Sequence, residues 1–303
     1  MEIQDAIDAA ATGDSIYIHG SSKKYSNVSI DKRLTLIGPG HHPYGESRLP
    51  AEIGFVSFDN WNIGDESAFI GLVINKFDAQ LRQSGLRIER CRIRILGLYS
   101  DYHEGWVIKN NILNRVSAAR LYLDQKPTNI ILKNNIIMEG VHGLHDAVIT
   151  NNTFIEIEEK FYSDDRMLFE GVNGSFIVNN IFYNQPPLGA ENSTFNNNLT
   201  FLRDSITLPY GSNTGTNNLT DVNPMFNNYP GGDFSYDYDF HLANASAAKN
   251  AGTDGSDLGV YGGEGFSERG EPPIPLIRSF ELGRVVVPPG SRLRISVFGE
   301  AKN

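Results

Sequence analysis

The chain has a single cysteine, Cys91, among its 303 residues, so neither an internal disulfide nor a cysteine-based zinc site is available to it. It also lacks any uninterrupted apolar run near the roughly 20 residues that a transmembrane helix needs, because every such run stops at a charge or an asparagine. Positive charge is scarce: 26 Lys and Arg against 36 Asp and Glu give a net charge of -10, which disfavours general binding to nucleic acid. No basic and apolar leader precedes the first helix-like segment, so no export signal is legible. What remains, with 40% hydrophobic and 20% charged residues, is the composition of a globular protein of one large domain or two small ones.

Against these absences stands a surplus of asparagine in a recurring place. The stretches "WVIKNNILNR" (106–115), "NIILKNNIIMEG" (129–140), "AVITNNTFIE" (147–156) and "SFIVNNIFYN" (175–184) each set Asn-Asn amid branched and aromatic strand formers. Taking one residue from each cluster, Asn110, Asn134, Asn151, Asn179, Asn197 and Asn217, gives spacings of 24, 17, 28, 18 and 20. Repeats of that length, holding short strands and no amphipathic helix, predict a solenoid of pure β-structure. A sharp corner between strands needs a residue that tolerates the left-handed region, and Asn does so best after Gly. Stacking such corners about 4.8 Å apart sets amide above amide, so a hydrogen-bonded ladder is expected to fix how the coils stack.

The ends read differently. "EIQDAIDAAATGD" places Ile3, Ala6, Ile7 and Ala10 on one face of a short helix, expected over 2–12, that would plug an open solenoid end. Residues 221–265, rich in Gly, Asp, Asn and Tyr, predict an irregular cap. "GEPPIP" then behaves as a stiff linker before two strand-like runs, "RSFELGRVVV" and "RLRISVFG". The expected division is a β-helix domain over 1–268 and a hairpin segment over 269–303, packed on the helix or in an oligomer contact; oligomeric state stays open.

The phrases "IQDAIDAAATGDSIYIHG" and "LTLIGPG", followed by the repeated Asn-Asn corners, resemble right-handed parallel β-helix proteins of the pectate-lyase-like superfamily. "DFHLANASAAKNAGTDGSDLGVYG" looks like the closing segment of many secreted bacterial β-helix proteins, and together these stretches cover roughly residues 2–262. The resemblance implies an all-β, right-handed parallel β-helix solenoid with an N-terminal capping helix. It also implies a protein outside the cell or at its surface that acts on or binds polysaccharides, as lyases, polygalacturonases, epimerases and tailspike-like adhesins do. Fold does not select among them. No Arg-x-Lys of the polygalacturonases is present, and no family catalytic residue can be carried over.

Residue chemistry supplies the candidates. Between Arg82 and Lys133, ten Lys or Arg stand against four acids, a basic zone on an acidic chain that suits an anionic glycan. The groove of this fold class is expected beside "LYSDYHEG" (98–105), "ARLYLDQK" (119–126), "GVHGLHDA" (140–147) and "YSDDRMLFEG" (162–171). Strand alternation would turn Arg120, Tyr122 and Asp124 outward together. A lyase acting on a uronate needs a cation on the carboxylate, a base and a donor to the leaving oxygen, so Arg120 would neutralise, with Tyr122 or His145 as base or acid. A hydrolase would instead pair carboxylates such as Asp124, Asp164, Asp165 and Glu170 across the bond. Arg92, Arg94, His103, His142, Arg166 and Glu170 complete the set as substrate contacts, with "RIERCRIRI" (87–95) read as one half-exposed strand carrying a basic track. Ordinary structural readings stand beside these: Arg120 and Asp124 as an exposed ion pair, His142 and His145 as turn residues, Asp164-Asp165-Arg166 as a polar turn. Calcium is a candidate cofactor on the oxygen-rich "DFSYDYDF" and "GTDGSDLG", although neither has the spacing of a full calcium loop. The function expected is that of a lyase-like enzyme on an extracellular, uronic-acid-containing glycan; the alternatives are a glycan-binding or surface-adhesin module and a glycoside hydrolase.

Overall fold

The computed structural model describes residues 2–43, 49–59, 64–99, 103–118, 126–156, 167–201, 206–283, 290 and 292–300. Each repeat gives one short strand to each of two parallel sheets. The first sheet stacks β1 (Ser15–Tyr17), β3 (Thr35–Ile37), β5 (Ala68–Ile70), β7 (Arg87–Glu89), β9 (Val107–Lys109), β11 (Ile131–Lys133), β13 (Val148–Thr150), β16 (Phe176–Val178) and β19 (Thr194–Asn196). The second stacks β2 (Val28–Ile30), β4 (Glu52–Phe58), β6 (Val73–Ala79), β8 (Arg92–Leu98), β10 (Ile112–Ser117), β12 (Ile136–His142), β14 (Thr153–Ile155), β17 (Ile181–Tyr183) and β20 (Leu199–Phe201). A short third ladder joins β15 (Val172–Asn173) to β18 (Ala190–Glu191). Consecutive strands therefore never pair; each bonds to its counterpart one coil on, and the chain winds as a parallel β-solenoid of about 8 turns.

The core lies between the two sheets. Leu36, Phe69, Ile88, Ile108, Leu132, Ile149, Ile177 and Phe195 stack in register from the first sheet, and Ile53, Ile74, Ile93, Leu113, Ile137, Phe154 and Phe182 from the second. All of these are buried. Each such side chain contributes roughly 2 kcal/mol relative to exposure, which is why the corners can afford polar residues.

At the corner leading from the first sheet to the second, the two members of each Asn pair have separate tasks. Asn110, Asn134, Asn151, Asn179 and Asn197 take the left-handed turn, with φ between 51° and 61°. The residue after each one points inward: Asn111, Asn135, Asn152, Asn180, Asn198 and Asn218 form a continuous ladder, Oδ1 of each accepting from the backbone N–H and side-chain amide of the Asn one coil back. Their amides also donate to the carbonyls of Ile88, Ile108, Leu132, Ile149, Ile177 and Phe195. Cys91 ends the ladder, its N–H donating to Asn111 Oδ1 at 2.8 Å, and burial pushes its thiol up to about 12. Arg90, at φ 57°, takes the turn before it. The run "RIERCRIRI" is therefore two strands on two different sheets rather than one, because Arg90-Cys91 occupies a corner: Arg87 faces out from the first sheet, and Arg92 and Arg94 from the second.

The outward-facing first asparagines are used by the chain's own C-terminal cap. Residues 251–271 run back along the corner against the winding direction. Asn197 donates to Ala251 O, Asn179 bonds Thr253, Asn134 donates to Val260 O and Gly262 O, Asn110 accepts from Ser267 N, and Arg90 donates to Glu271 O at 2.6 Å. Glu264 adds ion pairs to Lys133 and Lys109. Before this strap, β21 (Phe226–Asn228) and β22 (Asp239–Leu242) form a small antiparallel pair that lies over Ile112, Ile136, Met138 and Ile155 on the outer face of the second sheet.

The N-terminal helix α1 spans Ile3–Ala9, shorter than the expected 2–12 because Ala10 is already extended, and it buries Ile3 and Ile7 against the first coil. Lys32 Nζ closes its C-terminal end on Ile7 O and Ala10 O, a cation where the helix dipole favours one. The chain divides into two compact units, Met1–Glu271 and Pro272–Asn303. The second holds an antiparallel hairpin of β23 (Leu276–Leu282) and β24 (Ile295–Glu300), with a bulge between Ile277 and Ser279.

Candidate functional site

Counting from the ladder residue of each coil brings the polar positions of the second sheet into view. Three residues on, Asn75, Arg94 and Asn114 face out from β6, β8 and β10; four residues on stand Lys76, Ile95 and Arg115, paired in register; six on stand Asp78, Gly97 and Ser117, also in register. A bulge in this ladder, beyond the Leu113–Ile137 pair, sets Glu139 out of line and pairs Ser117 with His142. These residues floor a trough on the outer face.

One wall is the cap. Phe234, Tyr236, Tyr238, Tyr229, Tyr261 and Phe266 pack with Phe240 and Val260 on the apolar part of the face, so the cap tyrosines considered as sugar platforms are half-buried in this cluster. Arg92 belongs to the wall, its guanidinium 5.2 Å from the Tyr236 ring centroid and 5.8 Å from that of Phe234. Behind it lies His41, 1% exposed, whose Nδ1 meets Tyr236 Oη at 3.2 Å while Tyr236 donates to His41 O. Burial, then Arg92 and His42, lower its pKa to about 3, so it is neutral when folded. The unfolded chain protonates His41 below about 6.5 and the folded one does not. Its stabilising contribution is thus complete above that pH and shrinks as the pH falls toward 3, by about 2.5 kcal/mol between pH 7.5 and 4.5. Urea unfolding at a series of pH values is expected to show this slope in the natural chain and a flatter one in His41→Gln.

The opposite edge is where β8, β10, β12 and β14 end side by side and lead into the four segments singled out from the sequence. Tyr99 folds back there, and its ring lies on the Cα of Gly97: a Cβ at that position would sit 2.3 Å from Tyr99 Cε2. Gly97→Ala would drive the ring off the floor. Lys76 Nζ stands 5.9 Å from this ring and 5.3 Å from that of Phe55.

The floor is electrostatically organised. Lys76 pairs with buried Asp78 at 2.7 Å, and Arg115 with Glu139 at 2.6 Å. Gln80 also donates to Asp78 Oδ2, while Asp78 Oδ1 is buried with no hydrogen-bond partner among the described residues. Arg94 is arranged differently. Its Nε donates to Asn75 Oδ1 at 2.9 Å, which fixes the guanidinium plane, and among the described residues its two terminal amino groups have no partner. A fork so held, half-exposed and flanked by Lys76 and Arg115 on the neighbouring strands, is a receptor for a carboxylate.

Of the residues expected from sequence, Arg92, Arg94 and His142 come together on this face, His142 as a buried ring folded over Gly140. His103 is a correction: it is fully buried, with Nε2 3.0 Å from Ala79 O and Nδ1 against the main chain of Gln83, so its ring serves the core and reaches no groove. His145 stands apart, in the bridge ladder that runs Ser84, Glu104, Thr128, His145, Asn173; desolvation chiefly lowers its pKa, with Asp146 opposing and Lys126 reinforcing. Glu170 is a half-buried turn residue whose carbonyl accepts from Gly143 N. Arg120, Tyr122, Asp124, Asp164, Asp165 and Arg166 lie outside the described residues. Sequence reading missed Asn75, Lys76, Asp78, Tyr99 and Glu139; aligning coils on the ladder position would have found the first three.

Calcium does not fit the segments proposed for it. Asp239 is held by His241 and Asn227, Asp254 by Ser256, and Asp257 by Lys249 and the Asn250 N–H. Among the described residues no three His, Cys, Asp or Glu side chains are grouped to hold a metal ion, and no helix is long and apolar enough to cross a membrane. The parallel β-helix with its buried asparagine ladder is a fold common to polysaccharide-active proteins. Comparison of the chain with models of known protein families, and with curated proteins, finds no match.

Proposed function

We propose that this protein takes an acidic, uronate-containing polysaccharide along the trough of the second sheet and cleaves it by β-elimination. The observation that carries the reading is Arg94: a guanidinium aimed by Asn75, with two unpartnered amino groups, set between Lys76 and Arg115. Bound to the fork, a uronate carboxylate loses much of its negative charge, and the adjacent C–H becomes more acidic. Tyr99 supplies the proton-transferring group: its oxygen takes that proton as phenolate, the C–O bond to the next sugar breaks as a C=C bond forms, and the phenol returns the proton to the leaving oxygen. Polymers of this kind are extracellular, so the protein is placed outside the cell or at its surface, in keeping with its resemblance to the pectate-lyase-like superfamily.

A second reading, a glycan-binding module without chemistry, has its own support. Both described acids on the floor are tied in ion pairs and Arg92 is capped by two rings, an arrangement suited to holding a ligand. The two separate in a digestion screen of purified protein on pectin, polygalacturonate, alginate, glycosaminoglycans and neutral glycans, following both the ultraviolet absorbance of unsaturated sugar and the release of reducing ends. Absorbance on an acidic glycan, lost in Tyr99→Phe, is the expected result. Reducing ends without absorbance would replace elimination by hydrolysis. Retention on an acidic-glycan gel with neither signal would leave the binding module.

A further inference from the structure

Resting on that reading, we propose that the trough is a three-site receptor for a uronate chain with two-fold symmetry: Lys76, Arg94 and Arg115 hold three consecutive carboxylates that point to alternate sides of the chain.

The argument is one of register. Lys76 and Arg115 both pair with Ile95, from either side, so they share one row and stand two strands apart, about 9.6 Å. Arg94 is on the intervening strand but one residue nearer its start, in the row of Asn75 and Asn114. The three cations therefore zigzag across the face, one per strand. An extended 1,4-linked sugar chain laid along the solenoid axis advances by roughly one strand spacing, about 4.8 Å, per sugar. In a two-fold chain each sugar is turned over relative to the last. First and third carboxylates would then fall toward the Lys76–Arg115 row and the second toward Arg94. A chain with three-fold symmetry carries its second and third carboxylates round the axis and off this zigzag.

The pattern is bounded on both sides. On β4 the corresponding positions are Gly54 and Phe55, with no charge to offer. On β12 they are Met138, covered by the cap, and Glu139, which repels a fourth carboxylate. The partners of the outer cations, Asp78 for Lys76 and Glu139 for Arg115, hold those side chains against the floor as Asn75 holds Arg94. Positions are thus set before a ligand arrives, which lowers the ordering cost of binding.

The test is calorimetric titration of the natural chain and of Arg94→Gln with size-defined oligouronates from dimer to hexamer, in one series of two-fold and one of three-fold chain symmetry. For the natural chain and the two-fold series, affinity is expected to rise about tenfold from dimer to trimer and to change little beyond it. Arg94→Gln is expected to abolish that step, and circular dichroism to show an unchanged solenoid. The paired replacement Lys76→Met with Asp78→Asn, which strands no buried charge, should remove a comparable step. Affinity that climbs evenly to the hexamer, or a three-fold series bound as well as the two-fold one, overturns the three-site receptor while leaving an acidic-glycan trough intact. Failure of every oligouronate to bind overturns both.

Discussion

Asn135→Leu is expected to lower the stability of the solenoid by about 4 kcal/mol, although it exchanges one buried side chain for another of similar size. Asn135 Oδ1 accepts from the N–H and the amide of Asn111 at 2.9 and 3.0 Å, and its Nδ2 donates to Ile108 O and Asn152 Oδ1, each at 3.0 Å. Leucine fills the space but leaves the Asn111 N–H and the Ile108 carbonyl buried without these partners, at about 1–3 kcal/mol each, and halves the bonding of two further amides. The neighbouring Asn134 provides the contrast. It sits at φ 51°, which glycine adopts freely, and its side chain reaches only the strap at Val260 O and Gly262 O. Asn134→Gly should therefore cost no more than about 1.5 kcal/mol. Urea unfolding followed by circular dichroism checks both; equal losses would overturn the division of labour between the two asparagines.

Arg94→Ala is expected to reduce kcat/KM on the acidic glycan by at least about a hundredfold, close to 3 kcal/mol, with almost no effect on folding. The fork lies on the surface of the trough and supports no core contact, so its loss removes the carboxylate receptor alone. Lysine should recover little, because an ammonium cannot both donate to Asn75 and present two parallel donors. Arg87→Ala is the control: Arg87 is a cation of the same coil, paired with Glu89 at 2.7 Å on the first sheet, and its removal should change kcat/KM less than twofold. A steep fall in binding with added salt belongs to the same expectation, because the receptor is cationic and solvent-facing. Comparable losses from Arg87→Ala and Arg94→Ala would mean that general positive charge, and not the trough, attracts the glycan.

How far the sequence went is clearest at the corners. The Asn pairs alone predict a β-solenoid whose corners hold a left-handed residue and an amide ladder, and both are present, because φ preference and amide hydrogen bonding are properties of the residue itself. Sequence could not tell that the first Asn serves the strap and the second the ladder, since this depends on which side of the turn each side chain leaves. It could not see Arg90-Cys91 as the same corner without its asparagines, so "RIERCRIRI" passed for a single strand. His103 read as a surface ligand in a polar loop, yet two backbone carbonyls and the Trp106 ring claim it from within the core.

The trough follows the same division. Composition and the basic zone over 82–133 pointed to an anionic ligand, and Arg92 and Arg94 could be named because charge is written in the chain. Which charges meet is decided by register. Lys76, Arg94 and Arg115 lie 18 and 21 residues apart in sequence, through coils of unequal length, and only the pairing of β6, β8 and β10 brings them onto adjacent strands. The sequence by itself determined the strands, the corners and the ladder, because these are set within a few residues of chain. The tertiary structure alone decided the trough, because a site on a solenoid is assembled across coils, from residues that share a row and not a neighbourhood in sequence.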